Sequence, residues 1–158
     1  MRTWLYRGAL IAAILGLMGA IFAFSAQVGP DSNALTETAV LPVAELLASL
    51  QEGTEATVET LYVIIGGAVR KIAHLAEYAL LAGLIWLLLD SFGRRGLLLP
   101  ALIAICYAAT DEVHQAFVPG RLGTPVDVAI DAVGAFCGAW IISRISDHIR
   151  RKKNVHHP

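Results

Sequence analysis

Lys71, His74 and Tyr78 stand at i, i+3 and i+7, which is one face of a helix, with Glu77 beside them. Asp111 and Gln115 stand at i and i+4, with Glu112 and His114 interleaved, and Asp127 and Asp131 repeat the same spacing. Pro119-Gly120-Arg121 lies between the last two sets. Carboxylates and an imidazole can move protons. Lysine and arginine can hold an anion, arginine with two parallel hydrogen bonds. A mixed set of imidazole and carboxylate groups can hold a metal ion. All of these residues fall inside or beside strongly apolar segments. Ionisable groups in a bilayer are expensive, so they mark a functional site or are paired internally.

The segments that must position them read as membrane helices. The chain has 158 residues, of which 56% are hydrophobic and only 16% charged, with a mean hydropathy of +0.63. Soluble domains carry about 25% charged residues. Four spans are predicted, at about 8–25, 72–89, 96–117 and 126–145. Each approaches the roughly 20 residues that a helix needs to cross the hydrocarbon core. No run alternates with a strand period, and backbone in lipid must satisfy its own hydrogen bonds. The expectation is therefore an all-α, polytopic bundle forming one domain over residues 1–158. The first segment has a rival reading as a signal peptide, with Arg2 and Arg7 in front and Ala23-Phe24-Ser25 as a cleavage site. Its apolar stretch is longer than a signal core, which favours an uncleaved span.

Orientation follows from the cations. Four spans put the N-terminus, the 90–96 turn and the C-terminus on one side. Nine of the 12 Lys and Arg residues fall there, and only Arg70, Lys71 and Arg121 fall on the other. The positive-inside rule then places both termini in the cytoplasm. The C-terminal Arg150-Arg151-Lys152-Lys153 run is too short for a nucleic-acid surface and suits anionic lipid.

The outer connection, 27–70, is predicted to hold short amphipathic helices. Gly29-Pro30-Asp31-Ser32-Asn33 is turn chemistry. Val40, Val43, Ala44, Leu47 and Leu50 then recur at helical spacing, and Gly53 is a natural stop. A second stretch, 58–69, is apolar but loosened by Gly66-Gly67. Both are expected at the outer interface over the bundle mouth, or packed on the bundle as a lid. The three polar sets lie at the outer ends of their spans, where neighbouring helices bring them side by side. Gly134 and Gly138, with Ala135 and Ala139, give the last span a close-packing face. A polar pocket open to the outside is expected there, edged by Pro119-Gly120-Arg121 and lined by Lys71, His74, Glu77, Tyr78, Asp111, Glu112, Gln115, Arg121, Asp127 and Asp131.

Lys71-x-x-His74-x-x-Glu77-Tyr78, Asp111-Glu112-x-x-Gln115, Pro119-Gly120-Arg121 and Asp127-x-x-x-Asp131-x-x-Gly134, in that order, resemble the VanZ-like family of bacterial membrane proteins. Phe24-Ser25-x-Gln27 is similar to the family's segment after its first span. The resemblance covers about 20–140, with Asp131 as a departure where Asn is common. The family takes its name from an accessory glycopeptide-resistance protein associated with reduced teicoplanin susceptibility. The resemblance implies a multi-pass protein of the bacterial cytoplasmic membrane with an envelope-facing role, and it implies no particular reaction.

Two classes of function stay open. One is a binding or accessory protein that engages an envelope lipid, a cell-wall precursor or an amphiphilic antibiotic from the outer face. The other is a membrane enzyme doing acid–base or metal-assisted chemistry on a polar head group, with His74, Asp111 and Glu112 as candidate catalytic groups. Lys71 reads either as an interfacial anchor or as an ion-pair partner. His74 reads either as an orienting hydrogen-bond donor or as a catalytic group. Arg121 is expected to pair with Asp127 or Asp111. Asp111 and Glu112 are adjacent and must point to different faces, so only one looks straight into the pocket. A metal site from His74, Asp111, Glu112, His114 and Asp127 lacks any HExxH or CxxC pattern, and no cofactor or metal is assigned. Cys106 and Cys137 lie inside spans and read as packed apolar side chains.

Overall fold

A computed structural model of the chain describes residues 2–26, 29–50, 54–119 and 123–155. It contains five helices: α1 (Arg2–Ser25), α2 (Gly29–Leu50), α3 (Glu55–Asp90), α4 (Leu98–Gln115) and α5 (Pro125–Val155). No strand occurs among the described residues, so the all-α expectation holds. Three helices, α1, α3 and α5, are long and apolar enough to cross a membrane. α4 is not among them, because Asp111, Glu112, His114 and Gln115 crowd its last turn and a half and lower its hydropathy.

The connection between the first two spans differs from expectation. The 58–69 stretch is not a separate surface helix. It is the first half of α3, which runs unbroken for 36 residues, or about 54 Å at ~1.5 Å per residue. Gly66-Gly67 does not interrupt it: Gly66 is buried, and α2 packs along α3. A glycine inside a helix costs about 1 kcal/mol, which packing readily offsets. α2 itself begins at Gly29, so the residues read as a turn form its first helical turns. Pro30 sits at the position where the missing amide hydrogen is harmless. Val40, Ala44 and Ala48, four residues apart, are the buried stripe of α2. The expected stop at Gly53 lies outside the described residues.

The contact between α3 and α5 dominates the bundle. The two run parallel: Lys71 meets Asp127, Leu75 meets Gly134, Ala79 meets Gly138 and Asp90 meets Arg150. A Cβ on Gly134 would run into the Leu75 carbonyl, and one on Gly138 into the Ala79 carbonyl. These two glycines, a turn apart, are what allow the backbones to touch. Close approach of this kind is the main source of helix affinity in lipid, where no hydrophobic effect operates between helices.

Large and small side chains divide by helix. α3 supplies Tyr78, Leu81, Ile85 and Trp86 to the core, and α4 and α5 answer with Ala104, Ala108, Ala135 and Ala139. α1 closes the cluster with Ile14 and Ile21. Outward faces carry a belt of exposed apolar residues, such as Leu15 and Phe22 on α1 and Phe136 and Ile141 on α5. Cys106 and Cys137 belong to that belt and are not packed inside: both are exposed.

The end holding Asp90 is tied by cations. Arg150 and Arg95 both reach the Asp90 carboxylate, the latter at 3.2 Å. Arg7 of α1 donates to Ser91 and lies 3.8 Å over the Phe92 ring. α3 closes there with a Schellman turn, in which the amides of Gly93 and Arg94 bond the carbonyls of Asp90 and Leu89. Gly93 takes φ = 80°, which the turn requires.

Candidate functional site

The opposite end gathers polar groups from four helices. α1 ends on Ser25, α4 ends on Gln115, α5 begins at Pro125, and α3 passes through the same layer at Lys71–Tyr78. Two linked groups form.

The first lies between α1 and α4. Ser25 Oγ donates to Asp111 Oδ2 at 2.7 Å, and Gln115 Nε2 donates to the same oxygen at 2.9 Å. Gln115 Nε2 also lies 3.4 Å from Ser25 Oγ. Asp111 is only 4% exposed, and the buried Tyr78 hydroxyl lies close to its carboxylate.

The second lies between α3 and α5. His74 Nδ1 stands 3.9 Å from Asp131 Oδ2, one residue half-buried and the other 2% exposed. Asp131 Oδ1 is buried and, among the described residues, lacks a hydrogen-bond partner. One turn toward the surface, Lys71 Nζ pairs with Asp127 Oδ1 at 3.2 Å. Asp127 has a second task. It accepts from Thr124 Oγ1 at 2.8 Å, and its own amide reaches Thr124 Oγ1 at 3.3 Å, which caps α5.

Tyr78 joins the two groups. It is fully buried, its ring centroid 6.3 Å from His74 and 6.3 Å from Tyr107. Asp111 and Asp131 both lie within its electrostatic reach. Glu77 is half-buried and faces His74, Asp111 and Asp131 electrostatically. Glu112 turns away from Asp111. Its Oε2 accepts the Thr124 amide at 2.9 Å, so it fastens the end of α4 to the start of α5. The neighbouring acids of α4 therefore serve opposite sides of the helix.

Several sequence-derived placements change. Arg121, expected opposite Asp127 or Asp111, lies outside the described residues together with Gly120. Among the described residues, Asp127 pairs with Lys71, and Asp111 accepts from Ser25 and Gln115. His114 is not grouped with His74: its ring stacks on Phe22 at 4.3 Å between centroids. Among the described residues, no group of three His, Cys, Asp or Glu side chains is arranged to hold a metal ion. Ser25 and Thr124 were not among the expected site residues. Thr124 carried a usable signal, since Thr-x-x-Asp ahead of an apolar run is a capping pattern. Ser25 carried two signals, its place at the end of the first span and the Phe24-Ser25-x-Gln27 resemblance.

The architecture is that of a helical membrane protein with a buried polar layer at one end. The chain belongs to the VanZ/LLP1 family, whose profile matches residues 10–146. No match was found among curated proteins or among solved structures.

Proposed function

We propose that the polar layer is an outward-facing binding pocket for a polar head group. The class of occupant is an envelope lipid, a cell-wall component or an amphiphilic glycopeptide antibiotic, in keeping with an accessory resistance role. One observation carries the reading. Asp111, Asp131 and the Tyr78 hydroxyl are all buried at the same end, and among the described residues Asp131 Oδ1 has no hydrogen-bond partner. A buried acceptor left unfilled costs about 1–3 kcal/mol, so the arrangement favours a ligand that brings hydroxyl or amine donors.

The parallel course of α3 and α5 requires α4 to return between them, which supports four crossings with α4 as the third. The excess of Lys and Arg at the Asp90 end supports cytoplasmic termini and an external polar layer, in a bacterial cytoplasmic membrane. The loop 117–125 then edges the pocket, with Arg121 as a further contact, and the whole chain forms one domain.

A second reading rests on His74 and Asp131. A buried carboxylate beside an imidazole orients the ring and supports a proton transfer. The layer would then be the site of an acid–base enzyme acting on the same head group.

The test is lipid mass spectrometry on the purified full chain, comparing wild type with Asp111→Asn and Asp131→Asn. A co-purifying envelope component that both variants lose supports the binding reading. A new product formed from added lipid, lost in His74→Gln, supports the enzymatic one. Identical lipid profiles in all of these proteins would defeat both.

A further inference from the structure

The basic end holds cations of two kinds. Arg95 and Arg150 are spent on Asp90, and Arg7 on Ser91 and Phe92. Among the described residues, Arg144 and Arg151 of α5 make no ion pair, although Asp147 stands between them in sequence, and Arg94, Lys152 and Lys153 make none either. With Asp147 and His148 they line an open cleft of about 180 Å³.

The positions i, i+4 and i+7 of Arg144, His148 and Arg151 make one outward stripe of α5. It covers about 10 Å of helix rise. Toward the middle of the helix the same stripe turns apolar, through Ile141, Trp140 and Cys137, all exposed. The Arg144 guanidinium lies 5.7 Å from the Trp140 ring centroid, where the two chemistries meet. An aromatic ring at this junction is what a membrane interface selects.

We propose that this stripe is a binding site for one anionic phospholipid in the leaflet at the basic end. The phosphate diester sits between the Arg144 and Arg151 guanidinium groups, whose planar forks match its oxygens. His148 adds a donor. Asp147, in the same cleft, accepts a hydroxyl of the head group, which favours a glycerol-type head group over choline. One acyl chain lies along Ile141, Trp140 and Cys137. One feature sets the site apart from general attraction to a charged surface: its cationic cleft continues without a break into an apolar track. The site is independent of the polar layer and of which leaflet the basic end faces.

The test is native mass spectrometry of the full chain, released from micelles doped with equal phosphatidylglycerol and phosphatidylcholine. The expected result is one retained phosphatidylglycerol, preferred by about thirtyfold as two cationic contacts would give. Arg144→Gln combined with Arg151→Gln should remove that preference, and Arg94→Gln should keep it. Asp147→Asn should weaken phosphatidylglycerol while sparing phosphatidic acid. Inorganic phosphate at millimolar concentration should not displace the lipid. Equal retention by the arginine double variant would overturn the site, as would absence of preference in the wild type. Displacement by phosphate would show an anion site in place of a lipid site, and a dimer in which cross-links bury the stripe would assign it to a second copy.

Discussion

Ser25, the last residue of α1, donates its hydroxyl to Asp111 of α4 at 2.7 Å across 86 residues of chain. This contact is buried and shares its acceptor oxygen with Gln115. Ser25→Ala leaves that buried oxygen with one donor fewer. The expected loss is about 1–3 kcal/mol, read as a lowered thermal midpoint in detergent. Asp111→Asn should tolerate Ser25→Ala better than the wild type does. Strict additivity of the two changes would show that the contact does not form.

The glycines of α5 make a sharper stability prediction. Gly138→Ala and Gly134→Ala each place a methyl against a carbonyl of α3. Overpacking of this kind costs about 1–3 kcal/mol, and more where backbone is the obstacle. Gly16→Ala, where nothing lies within 4 Å, should be neutral. Thermal scans of the three purified variants give the comparison, and equal midpoints would refute the α3–α5 contact.

Lys71 and Asp127 should behave differently from the buried groups. The Lys71 side chain is 53% exposed, so its pair with Asp127 is screened. A double-mutant cycle with Lys71→Gln and Asp127→Asn should give a coupling of about 0–1 kcal/mol. A coupling well above that range would mean that the pair is shut away from water in the membrane.

Function should separate from stability at the polar layer. His74→Gln, Asp111→Asn and Lys71→Gln keep size and much of the hydrogen bonding. They should insert and accumulate nearly as the wild type does, yet lose the envelope phenotype that the proposed function implies, such as altered glycopeptide susceptibility. Arg94→Gln, at the opposite end, should change little. Retention of the full phenotype by all three layer variants would remove the layer from the mechanism.

Topology is open to direct labelling. Cys106 and Cys137 are exposed on helix sides and must first be replaced by alanine. A single cysteine at 121 should then react with a membrane-impermeant maleimide in intact cells, and one at 94 should not. The reverse pattern would invert the orientation.

Much of the bundle was legible from residue order. The apolar runs placed the helices, and the glycine–alanine face of α5 is written at positions 134–139. The grouping of Lys71, His74, Asp111 and Asp127 follows from helices that alternate in direction. What escaped depends on packing between distant segments. Gly66-Gly67 looks like a break, yet α3 runs through it with Gly66 buried. Ser25 is one serine after an apolar run, and its value arises from an acid 86 residues away. His114 has the composition of a site residue, but its ring is taken by Phe22.

The unbroken length of α3 gives the molecule a mechanical property. From Lys71 to Asp90 it lies against α5, which meets it at Asp127, Gly134, Gly138 and Arg150. The arm from Glu55 to Lys71 overhangs the start of that contact by about 24 Å, at ~1.5 Å per residue. A sideways push on the α2–α3 hairpin would therefore be felt at Lys71 and His74, where the overhang meets the held stretch, and would die away before Asp90.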